Sequence, residues 1–221
     1  MILRSGLIQN LPHVDQNVFA KHWREVHGPL AARLPNLKGY VQNHIVERGP
    51  VRLDGLMHRI DGISQLWFDS LELMTEAMSS SEQEACVHDI MSFLDRVTLA
   101  IQDPGIWRPD RVGALDPTTK LMAIYVGKGS LSDLRKDIQA AIAGGEFSPT
   151  RYRMNGIISS DFSVDPGVPR SAVPVVAVLE AYFATEGERG LAIHSGVLDR
   201  GVCSAAAVVG VSPQMFISPP D

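Results

Sequence analysis

The chain has 221 residues, of which 45% are hydrophobic and 20% are charged. This ordinary globular composition excludes a disordered, collagenous or coiled-coil chain, and the length fits one large domain or two small ones. Twenty Lys and Arg against 25 Asp and Glu give a net charge of −5, which provides no basic excess for binding nucleic acid.

The cysteines and the apolar segments of the chain indicate where in the cell the protein is located. The two cysteines, Cys86 and Cys203, belong to no CxxC or Cys/His pattern, so neither a disulfide framework nor a structural zinc site is expected. The segment 1–10 has an arginine at position 4 and no continuous apolar core, unlike a signal peptide. The longest uncharged run, 201–220, is broken by prolines and does not predict a membrane span. We therefore predict a soluble, cytoplasmic protein with no membrane partner.

The first half of the chain predicts the order strand, helix, strand, strand, helix, strand. Apolar residues spaced by three or four positions from 16 to 34 predict an amphipathic helix, interrupted at Gly28-Pro29. The later helical region, from 71 to 94, is broken by three serines into two pieces. The strands are predicted at 2–9, 37–47, 60–68 and 97–101.

The second half repeats this order. Strands are predicted at 121–126, 151–160, 175–183 and 202–211, helices after Ser130 and at 187–198, and a proline-rich loop at 165–174. The segment 102–119 carries three prolines and two glycines, which predicts a linker between units at 1–101 and 120–221. Two βαββαβ units suggest an internal duplication. Packing their sheets face to face would let one chain form an α+β barrel by itself.

Three ordered motifs in the first hundred residues resemble a known family. Residues 19–30, FAKHWREVHGPL, resemble the F-x-x-H/Y-W-x-x-x-H-x-P-L segment of EthD-like proteins. Residues 34–44, LPNLKGYVQNH, are similar to its continuation, and residues 61–69, DGISQLWFD, to its third-strand signature. In that signature the position of Gln65 is often a Glu. The second half has no H-x-P segment and no W-F strand, which predicts a degenerate second unit.

The resemblance implies a ferredoxin-like dimeric α+β barrel, here formed within one chain by two tandem units, with a pocket between sheet and helices. Relatives in this superfamily include muconolactone isomerases, cofactor-free monooxygenases and polyketide cyclases or dehydratases. Fold analogy alone does not choose among these chemistries.

Two histidines of the first motif are candidate proton-transfer groups. His22 and His27 flank the apolar stripe of the predicted helix, where a neutral imidazole can act as a general base or bind substrate. The alternative is that each ties the helix end to a loop carbonyl. The family motif favours His27, since tyrosine is tolerated at the position of His22.

The second strand supplies a candidate pocket wall. Tyr40, Gln42 and His44 share one strand face because side chains alternate with period two. Convergent polar tips on an apolar body suit a ligand pocket, although this face could also be the solvent or inter-sheet face. Trp23 and Trp67 are predicted to pack first and to line the pocket second.

Asp61 begins the third strand, where its carboxylate could orient a histidine or take a proton; the alternative is that Asp61-Gly62 is turn chemistry. His22 and His27 are five residues apart instead of four, so they do not form a zinc pair. A site from His27, His44 and Asp61 would need the fold to assemble it, and we predict no metal. Without a GxGxxG, GxxxxGK[ST] or GxSxG motif, no cofactor is expected.

These observations favour a cofactor-independent lyase or isomerase that uses histidine acid–base catalysis on a small hydrophobic or aromatic, oxygenated metabolite. His27 is the predicted base or acid, His44 its partner, with His22 and Asp61 as further catalytic candidates. Tyr40 and Gln42 would bind the substrate, and Trp23 and Trp67 would pack it. The alternatives are a cofactor-free monooxygenase and a non-catalytic binding or stress protein, which a small or apolar pocket would favour. A homodimer is also predicted.

Overall fold

The structure is a computed structural model that describes residues 1–50, 57–109, 113–127, 129–160, 168–170, 173–199 and 204–220. Cys203 and much of the predicted proline-rich loop lie outside the described residues. Cys86 is a buried free thiol. In the described part of the chain, no helix is both long and apolar enough to cross a membrane.

Eight strands and six α-helices occur in the described residues. The strands are β1 (Ile2–Asn10), β2 (Gly39–Arg48), β3 (Gly62–Phe68), β4 (Leu94–Asp103), β5 (Lys120–Val126), β6 (Arg151–Ser159), β7 (Val175–Tyr182) and β8 (Ser204–Ile217). The helices are α1 (Gln16–His22), α2 (Gly28–Ala31), α3 (Leu71–Ala77), α4 (Ser81–Ile90), α5 (Leu131–Ala143) and α6 (Glu186–His194). A π-helical turn, Trp23–His27, joins α1 to α2.

Most helices begin at a side chain that accepts hydrogen bonds from the free N–H groups of the first turn. This contact fixes each helix start because those donors have no partner within the helix. The capping residues are Asp15, Ser70, Ser80, Ser130 and Thr185.

The eight strands form a closed barrel in the order β1-β3-β2-β8-β5-β7-β6-β4. Within it, β4-β1-β3-β2 and β8-β5-β7-β6 are two four-stranded sheets with the same βαββαβ connectivity. They join through the antiparallel pairs β2–β8 and β4–β6. The predicted fold class, two ferredoxin-like units forming an α+β barrel within one chain, is therefore confirmed.

Two strands are longer than the sequence pattern predicts. β4 continues to Asp103, into the segment predicted as linker, because its end pairs with β6. β8 continues past Pro213 to Ile217 because it leaves β5 at Val211 and pairs along β2. Each extension depends on a partner that is distant in sequence, so local periodicity does not report it. The domain boundaries given above remain a prediction.

The barrel interior is divided along its axis. One part is an apolar cluster that includes Leu7, Ile63, Met122 and Val178. The rest of the interior carries buried polar and charged side chains, among them Lys120 and Glu180. The helices cover the outer faces of the two sheets, so each unit also has a sheet–helix layer.

Candidate functional site

The π-helical turn lies in the middle of the first sequence motif. The N–H of Gly28 donates to the carbonyl of Trp23, five residues earlier. Pro29 follows and has no N–H with which to continue the α-helical pattern. The interruption predicted at Gly28-Pro29 is therefore a widened turn that begins at Trp23. Single π-helical turns recur at functional sites.

The ring of Trp23 is seated on the backbone of β3, which connects the first motif with the third. A Cβ atom at Gly62 would lie 2.5 Å from a ring carbon of Trp23, so only glycine admits the indole here. Trp23 is fully buried and stacks on Phe19 with ring centroids 5.4 Å apart. The motif thus fixes the helix against the sheet by packing.

The widened turn brings both motif histidines to one carboxylate. His27 Nδ1 lies 2.9 Å from Asp89 Oδ2, and His22 Nε2 lies 2.9 Å from Asp89 Oδ1. On a regular α-helix, side chains five residues apart point in different directions. The π-helical turn removes that divergence, so both rings reach the same carboxylate.

Asp89 is held in its charged form. Burial raises the pKa of this carboxyl, but the hydrogen bonds with His27 and His22 outweigh burial and hold the pKa below its ordinary value. An ionised carboxylate accepts the Nδ1–H of His27, which leaves the lone pair of that ring on Nε2. This is the arrangement that prepares a histidine to accept a proton.

A cavity of about 70 Å³, the first-unit cavity, lies between the sheet of the first unit and its helices. His27 is one of the residues that line it. Apolar walls come from Trp23, Leu66, Leu94 and Leu99, among others. The remaining polar lining is Arg4, Tyr40, Ser64, Gln83 and Cys86.

Arg4 is a buried cation, and none of the described residues that line this cavity is an anion at neutral pH. The residue is 9% exposed, and its Nε has no hydrogen-bond partner among the described residues. Burial lowers the pKa of Arg4 to about 10, so the guanidinium remains charged at neutral pH. The indole Nε1–H of Trp23, which lines the same cavity, is also buried without a partner in the described part of the chain. Two unused donors at one cavity favour an acceptor-rich ligand.

Two other groups of the cavity stay neutral. Burial raises the pKa of the Tyr40 phenol well above its ordinary range and raises the pKa of the Cys86 thiol to about 11. Neither supplies an anion for nucleophilic attack at neutral pH. Tyr40 accepts a hydrogen bond of 2.8 Å from Gln42, and its own proton can be donated to a ligand.

Tyr40, Gln42 and His44 share the helix-facing side of β2, as their alternation predicts. Gln42 Nε2 donates to the carbonyl of Trp23 at 2.7 Å, and its Oε1 lies 3.2 Å from His44 Nε2. The ring of His44 lies 4.8 Å from that of Trp23. Of the three, only Tyr40 lines the first-unit cavity. Gln42 and His44 form the row of hydrogen bonds that supports the π-helical turn from below.

Asp61 and Trp67 lie elsewhere. Asp61 Oδ1 is 2.8 Å from Arg48 Nη2 and 2.9 Å from Arg59 Nε, in an ion cluster at the strand ends. Trp67 packs inside the barrel with Leu3 and Val41, on the opposite face of the sheet from the cavity. The carboxylate that contacts His27 is Asp89, a position distinguished by no motif.

The set of His27, His44 and Asp61 considered for a metal is not brought together. His27 contacts Asp89, His44 contacts Gln42, and Asp61 is held by arginines. Among the residues that the structure describes, no group of three or more His, Cys, Asp or Glu side chains is arranged to hold a metal ion.

Sequence reasoning missed Arg4 and Asp89 for different reasons. Arg4 interrupts the apolar run of β1, and strand alternation places it on the same face as Ile2 and Ile8. A charged residue on the apolar face of a strand indicates a candidate functional group, and the sequence alone shows it. Asp89 lies on α4 and meets the histidines only through tertiary packing, so nothing local marks it.

The first unit is similar to a known domain family. Residues 11–97 match the EthD domain family, and none of the curated proteins matches the chain. An EthD family protein from Bacillus halodurans is 24% identical over 47% of this chain and 98% of its own, with a TM-score of 0.36.

Two other solved structures span almost the whole chain. An anthrone oxidase-like protein is 7% identical, covers 97% of this chain and 92% of its own, and has a TM-score of 0.57. A candidate monooxygenase from Fusobacterium nucleatum is 10% identical, covers 97% of this chain and 93% of its own, and has a TM-score of 0.52. At these identities the likeness shows the shared fold. The family match falls on the unit that holds the first-unit cavity: residues 11–97 are similar to the EthD domain family, and the two tandem units together form the eight-stranded α+β barrel.

Proposed function

We propose that the first-unit cavity binds the oxygenated head of a small hydrophobic or aromatic metabolite and moves a proton within it, as a cofactor-independent lyase or isomerase. One observation carries the proposal: His27, oriented by Asp89, lines the same cavity as the unpaired cation of Arg4. A base and a fixed positive charge around one small space are the two groups that enolisation needs.

His27 is the proposed proton-transfer group. Its Nε2 would take a proton from a carbon next to a carbonyl, and the ionised Asp89 would stabilise the resulting imidazolium. Return of the proton to another carbon completes an isomerisation, and its transfer to a leaving group completes an elimination. Positioned acid–base groups of this kind contribute roughly 10²–10⁴-fold to the rate.

Arg4 and Tyr40 are the proposed oxyanion partners. The negative charge that develops on the carbonyl oxygen would face the guanidinium of Arg4, with Tyr40 as a neutral donor. Because both groups are buried, their interaction with this charge is stronger than it would be in water. Trp23 would contribute its free indole N–H and an apolar wall.

The other predicted site residues have supporting positions in this scheme. His22 holds the second oxygen of Asp89, and Gln42 and His44 support the π-helical turn. Neither Asp61 nor Trp67 lines the first-unit cavity, and we propose no role for them in this reaction.

A cofactor-free monooxygenase would begin with the same step. An enolate or phenolate held against Arg4 would then react with dioxygen, and oxygen consumption would separate this chemistry from isomerisation. The oxidase-like and monooxygenase descriptions of the two full-length neighbours make it the alternative enzyme.

The volume of the first-unit cavity favours a second function, non-catalytic binding. About 70 Å³ is less than the roughly 150 Å³ that accommodates benzene in an engineered cavity. A ligand could therefore insert only its head group without displacing side chains.

Deuterium exchange tests the proposal without knowledge of the substrate. Small aryl ketones and β-keto acids are incubated with the protein in D₂O, and loss of the α-proton is followed by NMR. We expect protein-dependent exchange that disappears in His27→Ala and persists in His194→Ala, an exposed histidine paired with Glu47. Binding without exchange would support the binding protein, and oxygen uptake would support the monooxygenase.

We also propose a homodimer, which the closed barrel permits but does not need for covering its sheets. Exposed apolar side chains, including Ile106 and Leu191, would contribute to its interface. Light scattering distinguishes the dimer from a monomer of 24.1 kDa.

A further inference from the structure

A second cavity, the barrel cavity, lies inside the barrel where the two units meet. Its volume is about 260 Å³. Its lining comes from both units and includes Gln65, Trp67, Lys120, Arg153 and Glu180. Trp107 and the C-terminal Pro219 and Pro220 also border it. The first-unit cavity lies on the other face of the sheet and shares no lining residue with it.

The charges in the barrel cavity do not balance. Glu180 Oε2 lies 2.8 Å from Lys120 Nζ, and Glu180 Oε1 lies 2.7 Å from Arg153 Nη2, with each side chain less than 10% exposed. Burial raises the pKa of Glu180, but the charges of Arg153 and Lys120 outweigh it and hold the pKa well below its ordinary range. Among the described lining residues, two cations therefore face one anion. An uncompensated charge in such a place is costly.

One donor of this cluster is unused. Lys120 Nζ donates to Asn43 Oδ1 at 2.9 Å and to Gln65 Oε1 at 3.2 Å. It also forms an ion pair with Glu180 Oε2, an oxygen that has no hydrogen-bond partner among the described residues. With Oε1 of Gln65 facing Lys120, its Nε2 is turned the other way. That nitrogen is fully buried and has no hydrogen-bond partner in the described part of the chain. Buried amide donors are normally satisfied, so this one points to a ligand with an acceptor.

The walls beside the cations are aromatic. The guanidinium carbon of Arg153 lies 4.5 Å from the ring centroid of Trp107 and 5.9 Å from that of Trp67. A monocyclic aromatic compound fits a cavity of this size, since benzene occupies an engineered cavity of about 150 Å³.

We propose that the barrel cavity is a second binding site, for a small aromatic carboxylate. The carboxylate would accept from Gln65 Nε2 and Arg153 and would neutralise the excess positive charge, while the ring packs beside Trp67 and Trp107. The site combines residues of both units, so only the tandem barrel assembles it. It is independent of the chemistry proposed for the first-unit cavity.

Benzoate is the probe, with benzamide as its neutral counterpart of nearly the same shape. Titration calorimetry and quenching of tryptophan fluorescence measure the affinity of each compound. We expect benzoate to bind at least tenfold more tightly than benzamide because only benzoate carries the compensating charge. Equal affinity of the two compounds, or no binding of benzoate at millimolar concentration, would overturn the proposal.

Gln65→Glu locates the site. The substitution keeps the shape and the acceptor for Lys120, removes the free donor and cancels the excess charge. We expect it to weaken benzoate binding at least tenfold and benzamide binding much less, since benzamide loses the same donor but carries no negative charge. The matched control is Gln83→Glu, the same change in the lining of the first-unit cavity, which should leave benzoate binding intact. Loss of binding in Gln83→Glu alone would place benzoate in the other cavity and refute the proposal.

A variant outside the ion cluster tests the site without changing its buried charges, so a loss of binding is not caused by misfolding of the cluster. Trp107 lies between β4 and β5, half-buried, and Trp107→Leu leaves all three charges in place. We expect it to weaken benzoate and benzamide alike, with an unchanged circular dichroism spectrum. Unaltered binding of both compounds would show that the ligand ring does not pack beside Trp107, which would contradict the proposal.

Discussion

The two units share one topology but fill their sheet–helix layers differently. In the second unit, Leu121, Ala123 and Tyr125 of β5 pack in one apolar cluster with Leu134 and Ile138 of α5. In the first unit, the helix-facing side of β1 carries Arg4. The π-helical turn above it carries His27, whereas the apolar cluster of the second unit contains no histidine among the described residues.

This difference shows how one unit of a duplicated barrel can contribute stability while the other carries the candidate functional site. The apolar cluster of the second unit stabilises the fold by burying apolar side chains. The first unit gives up part of that stabilisation by burying the cation of Arg4 beside a cavity and by holding the half-buried, ionised Asp89 against two histidines. Residues that break local packing rules in this way tend to mark function.

Among the changes that test this difference between the units, removal of the proposed base should have the largest effect on activity. In His27→Ala we expect proton exchange to fall roughly 10²–10⁴-fold, with a melting temperature within a few degrees of the parent. Exchange is followed by NMR and stability by calorimetry. Full activity in the variant would eliminate the mechanism, and a collapse of stability would assign His27 to packing.

Asp89→Asn is the companion change. The amide cannot stabilise an imidazolium as a carboxylate does, so exchange should fall while the fold remains. Full activity of Asp89→Asn would show that the contact between His27 and Asp89 does not contribute to catalysis.

The sequence predicted the order of all eight strands because each carries its own apolar alternation and turn signals. It also predicted barrel closure, since two open sheets of this kind need a cover. It did not predict the ends of β4 and β8, which depend on pairing across the two units.

The second unit gives the complementary test. Leu134 is 2% exposed in the apolar cluster, so Leu134→Ala should destabilise the protein by about 2–5 kcal/mol through the lost burial and the cavity left behind. Chemical denaturation measures this loss. The exchange activity of the folded fraction should be unchanged, and a parallel loss of activity would show that the two layers are not separate in function.

Arg4→Met should move stability in the opposite direction. Methionine fills similar space without a buried charge, and replacing buried ion pairs by apolar side chains is often neutral or stabilising by about 1–4 kcal/mol, so we expect a gain of this order or smaller. For a chain of this size, each kcal/mol corresponds to a rise of roughly 2–4 °C in melting temperature. We expect this gain together with a loss of proton exchange, measured on the same sample. A destabilised variant would mean that Arg4 has a structural partner.

The candidate site was only partly predictable for physical reasons. His27 and Tyr40 were found because a motif and strand alternation mark them locally. The link between His22, His27 and Asp89 was not, because it needs a π-helical turn and a helix about sixty residues away. Asp61 carries a carboxylate that could orient a histidine, but it forms ion pairs with Arg48 and Arg59 instead.

His44 gives the smallest expected effect, a pH dependence of stability in the first unit. Burial, and to a lesser extent the charge of Arg24, lowers the pKa of His44 to about 4. The folded protein therefore binds this proton less readily than the unfolded chain, in which the pKa is about 6.5. The contribution of neutral His44 is complete above about pH 6.5 and is lost progressively as the pH falls towards 4. His44→Gln cannot titrate, so the fall in melting temperature between about pH 7 and pH 4.5 should be smaller in this variant by a few degrees at most. His194→Ala, at an exposed site of the second unit, should keep the full slope of the parent. Identical slopes in His44→Gln and the parent would show that His44 is not desolvated and that the row beneath the π-helical turn is open to water.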